Sequence, residues 1–318
     1  MKEDLVRALK GALDYSRLYR RKTFVIKLGG EVLADPKVLE NLAVQVALLE
    51  SLSVRIVMVH GGGPQSTSLT RKLGLEPQIV AGRRVTTPEV LEIAKMVYAG
   101  QLNVDLLAAL RGQKLRAVGL SGVDGDLITA RRRPPVEVTD DSGETRTVDY
   151  GEVGDVVDSD PSVLKILLES GYVPVVASLA ADQEGRPLNI NADTVAETLA
   201  RSLEAEKLIF LTGSPGLLRD PEDPSSLVAF ATPEDLKALM EEGVIRGGMR
   251  PKVDACLRAV EGGVKRTHII DGCAPDSLLI ELFTGAGCGT MIVGTAEMDR
   301  YKDMELARNG KKSRDGES

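Results

Sequence analysis

Histidine and aromatic residues are scarce in this sequence. Two histidines and no tryptophan occur among 318 residues, and aromatic side chains make up 3% of the chain. Because both kinds of site need histidine, the sequence argues against a serine catalytic triad and against an HExxH zinc site. With a net charge of −7 and few rings for base stacking, the chain is also a poor candidate for nucleic-acid binding.

Cysteines and long apolar runs are equally limited. The three cysteines, Cys256, Cys273 and Cys288, are an odd number without CxxC spacing. This pattern favours reduced thiols in the cytoplasm over a disulfide framework or a bound metal. No run approaches the roughly 18 apolar residues of a membrane span, and the N-terminus lacks the apolar core of a signal peptide.

Glycine-ended strands alternate with helices along the chain. Strand patterns at 23–30 and 55–63 each end in glycines, and a helix is predicted between them over 37–52. Two further helices are predicted over 88–100 and 103–113. This order is typical of an α/β protein with a parallel sheet.

Two glycine motifs stand at the carboxyl ends of these strands. Lys27 precedes Gly29 and Gly30, and His60 is followed by three glycines, Gly61 to Gly63. Bare backbone N–H groups beside a cation suit phosphate oxygens, and open α/β sheets bind ligands at strand ends. A tight turn with a solvated lysine is the alternative. Neither motif is a Walker or GxGxxG sequence.

Two weaker motifs come later. Asn189 to Asp193 (NINAD) precedes a helix, so a helix cap is the simpler interpretation. Lys252 follows a glycine pair in GGMRPK, where a surface lysine at a helix start would look the same. These two motifs indicate a functional site only when they are considered together with the two glycine motifs.

Taken together and in order, the motifs resemble those of the amino acid kinase family. The resemblance covers roughly residues 13–295 and rests on these segments: KLGG (27–30), HGGGP (60–64), GRRVT (82–86), GLSGVDG (119–125), NINAD (189–193), GGMRPKV (247–253) and GGVKRTHIIDG (262–272). It implies a three-layer αβα sandwich with a mainly parallel central sheet. It also implies ATP-dependent phosphorylation of a side-chain carboxylate, and the motifs are most similar to those of members that act on N-acetyl-L-glutamate in arginine biosynthesis.

The resemblance also implies residue roles. Lys27 is similar to the lysine that contacts the transferring phosphoryl group, Lys252 to its counterpart toward the leaving phosphates, and Asp193 to the aspartate that holds both. The other implied sites are Gly62, Gly63, Arg84 and Asn189 for the acyl substrate, Gly29, Gly30 and Gly61 for phosphates, and Thr212, Gly213 and Gly216 on the nucleotide side.

Phosphorylation of a carboxylate does not require histidine as a general base. A γ-carboxylate with a pKa of about 4.3 is already a nucleophile at neutral pH. The protein then has only to bring two anions together and to stabilise the phosphoryl charge. ATP is expected with Mg²⁺ held mainly by phosphates and water, so the sequence predicts no dedicated metal cage.

A second site is implied by the N-terminal segment. Residues 1–20 form a predicted amphipathic helix similar to that of arginine-inhibited, hexameric members. The candidate residues for an arginine site are Tyr15, Lys207, His268, Glu281 and Gly287. We therefore expect a homo-oligomer, a dimer or a trimer of dimers, with arginine as inhibitor and neither nucleic acid nor membrane as partner.

Domain boundaries follow from the same resemblance. We expect an N-lobe over 21–187 that binds the acyl substrate and dimerises, a C-lobe over 188–297 that binds ATP, and a flexible charged tail over 298–318. An acidic hairpin near 135–155 is predicted to cover the substrate.

Three positions depart from the family pattern. Gly213 stands where an aspartate is usual, Arg250 where an aliphatic residue is usual and Val123 where lysine is common. Two alternatives therefore stay open. One is a kinase for aminoadipate or glutamate linked to a carrier protein of lysine biosynthesis, and the other is a catalytically weakened arginine sensor.

Overall fold

The computed structural model describes residues 13, 15, 17–80, 83–139, 145–284, 287–294 and 297–298. Of the helix predicted over residues 1–20, only residues 13, 15 and 17–20 are described. Apart from residue 298, the predicted tail over 298–318 lies outside the described residues.

Strands and helices alternate through most of the described chain. In order they are β1 (Thr23–Leu28), α1 (Pro36–Ser51), β2 (Arg55–His60), α2 (Gly63–Lys72), β3 (Ile79–Val80), β4 (Arg83–Arg84), α3 (Pro88–Lys95), a π-helix (Met96–Leu102), α4 (Asn103–Gly112), β5 (Ala117–Ser121), β6 (Ile128–Arg132), β7 (Val136–Thr139), β8 (Thr145–Val148) and β9 (Gly154–Ser159). They continue with α5 (Ser162–Glu169), β10 (Val173–Ala177), β11 (Leu179–Ala181), β12 (Pro187–Asn189), α6 (Ala192–Ser202), β13 (Lys207–Thr212), β14 (Phe230–Ala231), α7 (Pro233–Glu241), α8 (Met249–Glu261), β15 (Arg266–Asp271), α9 (Ser277–Phe283) and β16 (Thr290–Val293).

A large central sheet organises the molecule. Its eight strands run in the order β14-β16-β15-β13-β1-β2-β10-β5. All neighbouring pairs are parallel except β15 and β16, which pair antiparallel. The prediction of a mainly parallel sheet is therefore confirmed.

Helices cover both faces of this sheet. On β1, Phe24 and Ile26 pack with Leu42 of α1 and Leu106 of α4 on one face. Val25 belongs to the core of the other face, with residues of α5, α6, α7 and α8. Because strands buried on both faces read as continuous apolar runs, FVI at 24–26 sits at the centre of the three predicted layers, which are confirmed.

The two helices predicted over 88–100 and 103–113 are one continuous helical run. The π-helix at Met96–Leu102 joins α3 to α4 without a break. The prediction of a break was wrong because Gly100 does not end the helix. A Cβ at Gly100 would meet nothing within 4 Å, and a π-turn widens the helix while keeping its direction.

Smaller elements flank the carboxyl end of the sheet. β12, β11, β6 and β9 form a second sheet, and β7 pairs antiparallel with β8 as the predicted hairpin. The segment that joins the two strands, 140–144, lies outside the described residues. None of the helices in the described part of the chain combines the length and apolarity needed to cross a membrane.

Candidate active site and a second polar cavity

An open cleft of about 840 Å³ lies at the carboxyl ends of β1 and β2. Its lining includes both glycine motifs, the NINAD segment and the start of α8. Parallel neighbours end on the same edge of a sheet, so the loops after β1 and β2 must meet there. The N-termini of α2, α6 and α8 also line the cleft, and each carries the partial positive charge of a helix start.

Two lysines converge on one buried aspartate in this cleft. Lys27 Nζ on β1 lies 2.7 Å from Asp193 Oδ1, and Lys252 Nζ on α8 lies 3.6 Å from Asp193 Oδ2. Lys252 also donates to the Gly248 carbonyl at 3.2 Å. Three residues more than 50 positions apart in sequence thus form one charged cluster with a net charge of +1.

Asp193 is free for this pairing because its neighbour caps the helix. Asn191 Oδ1 accepts from the backbone N–H groups of Asp193 and Thr194, at 2.7 and 3.4 Å. Burial by itself raises the pKa of Asp193, but the ammonium groups of Lys27 and Lys252 outweigh it and hold that pKa below its usual value. Asp193 is therefore ionised at neutral pH.

The second glycine motif permits a close approach of chain segments. A Cβ at Gly62 would stand 2.3 Å from Leu102 Cδ1 and 2.9 Å from the Tyr98 ring. No larger residue fits there without displacing the π-helix. Gly61, Gly62 and Gly63, at the start of α2, line the cleft together with Lys27.

His60 opens this motif but turns into the core. It is fully buried, and its Nδ1 donates to the Gly61 carbonyl at 2.9 Å while Nε2 accepts from Asn103 Nδ2 at 3.1 Å, an assignment that follows from the hydrogen-bond network. Burial lowers the pKa of His60 to about 4, so the ring is neutral at physiological pH.

Arg84 presents part of its guanidinium to the cleft. Its Nη2 donates to the Gly63 carbonyl at 2.6 Å and to Thr67 Oγ1. Its Nη1 is buried and has no hydrogen-bond partner among the described residues. Asn189 lies in the same lining, where its Nδ2 donates to Thr86 Oγ1 at 3.1 Å.

Not every predicted residue reaches the cleft. Thr212 ends β13, and Gly213 and Gly216 follow it, but none of the three belongs to the lining. Val123 and Arg250 do not belong to it either. Thr212 is buried, and its hydroxyl donates to the Ser214 carbonyl at 2.9 Å.

The lining also contains residues that the sequence did not single out. These include Glu31, Tyr98, Arg131, Arg133, Asp254 and Arg258. Glu31 directly follows the first glycine motif, and its position was the one signal available. The others come from elements whose orientation only the fold determines.

A second, smaller cavity of about 170 Å³ brings together all five candidates for an arginine site: Tyr15, Lys207, His268, Glu281 and Gly287. Lys207 Nζ donates to His268 Nε2 at 2.9 Å, and His268 Nδ1 donates to Glu281 Oε1 at 2.7 Å. Glu281 Oε2 accepts from the N–H groups of Cys288 and Gly289.

Burial sets the protonation of this chain of groups. It lowers the pKa of Lys207 to about 7, with help from the charge of Arg266. Burial and the neighbouring Lys207 lower the pKa of His268 to about 4. Burial alone raises the pKa of Glu281, but hydrogen bonds from His268 and from two backbone N–H groups lower it to about 2. Lys207 also lies 5.3 Å from the centre of the Tyr19 ring.

Comparisons with known proteins show the family to which this chain belongs. The chain matches the model of the amino acid kinase family over residues 22–271. It is 50% identical to acetylglutamate kinase of Myxococcus xanthus over 287 residues, which cover 90% of this chain and 93% of that protein. It is 44% identical to acetylglutamate kinase of Methanothrix thermoacetophila, over 88% and 96% of the two chains.

A solved structure with the same fold is N-acetylglutamate synthase from Neisseria gonorrhoeae. In complex with coenzyme A and N-acetyl-glutamate it superposes with a TM-score of 0.77 at 31% identity, over 91% of this chain and 63% of that one. In complex with coenzyme A and L-arginine the TM-score is 0.75 at 28% identity, over 91% and 65%. This chain thus spans less than two thirds of the synthase. The match to the family model and the two curated relatives establish that the chain belongs to the amino acid kinase family.

Proposed function

We propose that this chain transfers the γ-phosphoryl group of ATP to the γ-carboxylate of N-acetyl-L-glutamate, a step of arginine biosynthesis. The observation that carries the proposal is the cluster of Lys27, Asp193 and Lys252 beside two glycine loops in one cleft. High identity to two acetylglutamate kinases over about nine tenths of the chain supports the same substrate.

Arg84 and Asn189 are the proposed contacts of the acyl substrate. The unpartnered Nη1 of Arg84 is a charge-assisted donor, and burial makes its unpaired state costly until a carboxylate arrives. Asn189 offers an amide near the same wall. The γ-carboxylate of the substrate, ionised at neutral pH, then attacks phosphorus without a general base.

Lys27 and Lys252 are the proposed phosphoryl ligands. They pair with different oxygens of Asp193, and in this proposal Lys27 contacts the transferring group and Lys252 the leaving phosphates as negative charge develops there. Asp193 holds both ammonium groups in place and acts as a positioning residue. The N–H groups of Gly30 and Gly61 are further proposed phosphate donors. The prediction for Gly29 was wrong in one respect, because its N–H already donates to the Leu211 carbonyl at 2.8 Å.

The cleft fits Mg²⁺ that arrives with the nucleotide. No three His, Cys, Asp or Glu side chains among the described residues are grouped to hold a metal. The lining nevertheless offers exposed carboxylate oxygens, such as those of Glu31, which are ligands that Mg²⁺ prefers. When bound, the metal would neutralise charge on the phosphates.

We further propose that the acyl substrate binds to a lobe over 21–187 and ATP to a lobe over 188–297. The hairpin of β7 and β8 stands at the edge of the cleft, where Arg133 pairs with Asp155 at 2.5 Å and Val136 belongs to the lining. Closure of this hairpin would exclude water from the acyl phosphate.

A coupled assay of ADP release tests the function. The wild type should turn over N-acetyl-L-glutamate, and Lys252→Ala should lose about 10³-fold in kcat. Lys237→Ala is the matched control, because this exposed lysine pairs with Glu261 at 3.4 Å away from the cleft. Turnover with carrier-linked substrate alone would favour the lysine-pathway alternative. If neither the wild type nor the two variants turn over any of the tested substrates, the result would favour the arginine-sensor alternative.

The second cavity supports arginine as a ligand of the chain. The carboxylate of Glu281 suits a guanidinium, Lys207 suits an α-carboxylate, and Tyr15 supplies an aromatic wall. The related synthase with 28% identity was solved with L-arginine. We propose that arginine inhibits a homo-oligomeric, hexameric form through this cavity and the N-terminal helix.

Deletion of residues 1–20 tests this regulation. The truncated chain should remain active, form a dimer in light scattering and lose arginine inhibition. A truncated protein that stays hexameric and inhibited would overturn the proposal.

A further inference from the structure

Glu31 is an unpaired carboxylate in the middle of the proposed phosphate site. It directly follows Gly29 and Gly30 and lines the same cleft as Lys27 and Lys252. Its side chain is exposed, and its carboxylate has no ion pair or hydrogen bond within the described residues. By contrast, Asp193 pairs with two lysines and Asp155 pairs with Arg133.

Two glycines make room for this side chain. A Cβ at Gly213 would lie 3.2 Å from Glu31 Cγ and 3.4 Å from Glu31 Cβ, and a Cβ at Gly29 would lie 2.8 Å from Glu31 Oε2. Glu31 therefore occupies the space that a side chain at position 213 would fill. Its carboxylate is brought beside Gly29, at the junction between β1 and β13.

An unpaired carboxylate at this place has an electrostatic consequence. The phosphates of a bound nucleotide would be repelled by Glu31 if nothing lay between them. A divalent cation between the two anions turns this repulsion into attraction. Carboxylate oxygen is a preferred ligand of Mg²⁺, which commonly takes one or two carboxylates plus substrate phosphates and water.

Asp254 is the other carboxylate of the lining without an ion pair among the described groups. It lies on α8 two residues after Lys252 and four residues before Arg258, and a helix brings residues four apart together. Asp254 thus has cationic neighbours on its own helix, whereas Glu31 lies against Gly29 and Gly213. Glu31 is the better metal ligand for this reason.

We propose that Glu31 is the carboxylate through which this chain holds the Mg²⁺ on the nucleotide phosphates, directly or through a coordinated water. The inference rests on the proposed function, because it requires a nucleotide in the cleft. It assigns the metal to the loop after β1 and gives Gly213 a role as the open space that receives the Glu31 side chain.

Binding of Mn²⁺ tests the proposal without turnover. Electron paramagnetic resonance can measure the affinity of Mn²⁺ for the full-length protein in the presence of a nonhydrolysable ATP analogue. Glu31→Gln should weaken this affinity roughly tenfold, the lower end of the range for perturbed metal sites. Binding of the metal-free nucleotide in EDTA should not weaken, because a repulsive charge has been removed. Wild-type Mn²⁺ affinity in Glu31→Gln would overturn the proposal.

Asp254→Asn is the matched control, since it removes the same charge from the same cleft. It should retain most of the Mn²⁺ affinity. An equal loss in both variants would mean a general field effect and would also overturn the proposal. Thermal unfolding without nucleotide should be unchanged in Glu31→Gln, because the side chain is exposed.

Moving the carboxylate provides a gain-of-function test. In Glu31→Ala/Gly213→Asp the new aspartate enters the space that Glu31 vacates, so Mn²⁺ affinity should recover relative to Glu31→Ala. No recovery would refute the assignment of the metal to the carboxylate that occupies the space beside Gly213.

The two proposals fail separately. If the wild type binds Mn²⁺ and nucleotide through Glu31 but does not phosphorylate N-acetyl-L-glutamate, the proposed substrate is wrong and the assignment of Glu31 stands. If the wild type is an active kinase and Glu31→Gln binds Mn²⁺ normally, the reverse holds.

Discussion

The two buried histidines should make the protein sensitive to mild acid. Burial holds the pKa of both His60 and His268 at about 4, whereas an unfolded histidine titrates near 6.5. Between these values the unfolded chain binds more protons than the folded chain. Stability is therefore fully present above pH 6.5 and is lost as the pH falls toward 4.

The size of the loss follows from the same values. Between pH 6.5 and pH 5, a span of about 1.5 pH units, the unfolded ring is protonated and the folded ring is not. At 1.36 kcal/mol per pH unit, this difference lowers the free energy of unfolding by about 2 kcal/mol for each histidine. The two rings have separate partners, Asn103 for His60 and Lys207 for His268. Their effects should add to about 4 kcal/mol, a large share of a typical stability of about 5–15 kcal/mol.

Denaturant unfolding at pH 7 and pH 5 measures this loss. Glutamine does not titrate, so in His60→Gln the fall in unfolding free energy between the two pH values should shrink by about half. Its amide oxygen can still accept from Asn103. The same reduction is expected in His268→Gln. The pKa of Lys207 in the fold is about 7, at the upper edge of this window, and that of Glu281 is about 2, below it, so both contribute little beside the histidines. An equal fall in wild type and both variants would refute the reasoning.

Three further predictions concern the cleft. Lys27→Met should lower kcat by about 10²–10³-fold with little change in KM for the acyl substrate, because the lysine stabilises charge that develops on the phosphoryl group; steady-state kinetics would detect this. Arg84→Lys should raise KM for N-acetyl-L-glutamate about tenfold and leave KM for ATP unchanged, since an ammonium does not present the fork of a guanidinium. Gly62→Ala should lower stability by about 1–3 kcal/mol through overlap with the Tyr98 ring. Gly100→Ala, whose Cβ enters open space, should not lower the melting temperature.

The fold was largely predictable because glycines end the strands. The apolar run before Lys27 and the one before His60, each ended by glycines, are typical of buried parallel strands, and this indicated the layered architecture. The helix through residues 88–112 was less predictable, since a glycine at position 100 signals a break in most local contexts. Whether the chain turns or adopts a π-helix there depends on packing against Gly62, which is a contact distant in sequence.

The candidate site was predictable to the extent that its motifs carry charge or glycine. Lys27, Asp193 and Lys252 occur at strand ends and helix starts, which parallel topology brings to one edge. Their pairing was expected from the family resemblance but not from spacing alone, because it depends on Asn191 rather than Asp193 capping α6. Glu31 was missed for a related reason. Its proposed role depends on the space left by the missing side chain of Gly213, and the sequence pattern does not show that these two residues are in contact.

The charge of the cleft resolves an apparent conflict between an acidic protein and two anionic substrates. Among the described residues that line the cleft there are seven cationic side chains and four carboxylates, so the lining carries a formal charge of +3, while the whole chain carries −7. Charges on the outer surface act through water and are screened beyond about 8 Å at physiological salt. The lysines, the arginines and three helix N-termini act at contact distance on a ligand inside the cleft. A small anion that enters is therefore attracted, whereas an extended polyanion, held outside by the walls, meets the acidic exterior. Selectivity for small phosphorylated and carboxylated substrates follows from where the charges lie, and net charge alone would not have indicated it.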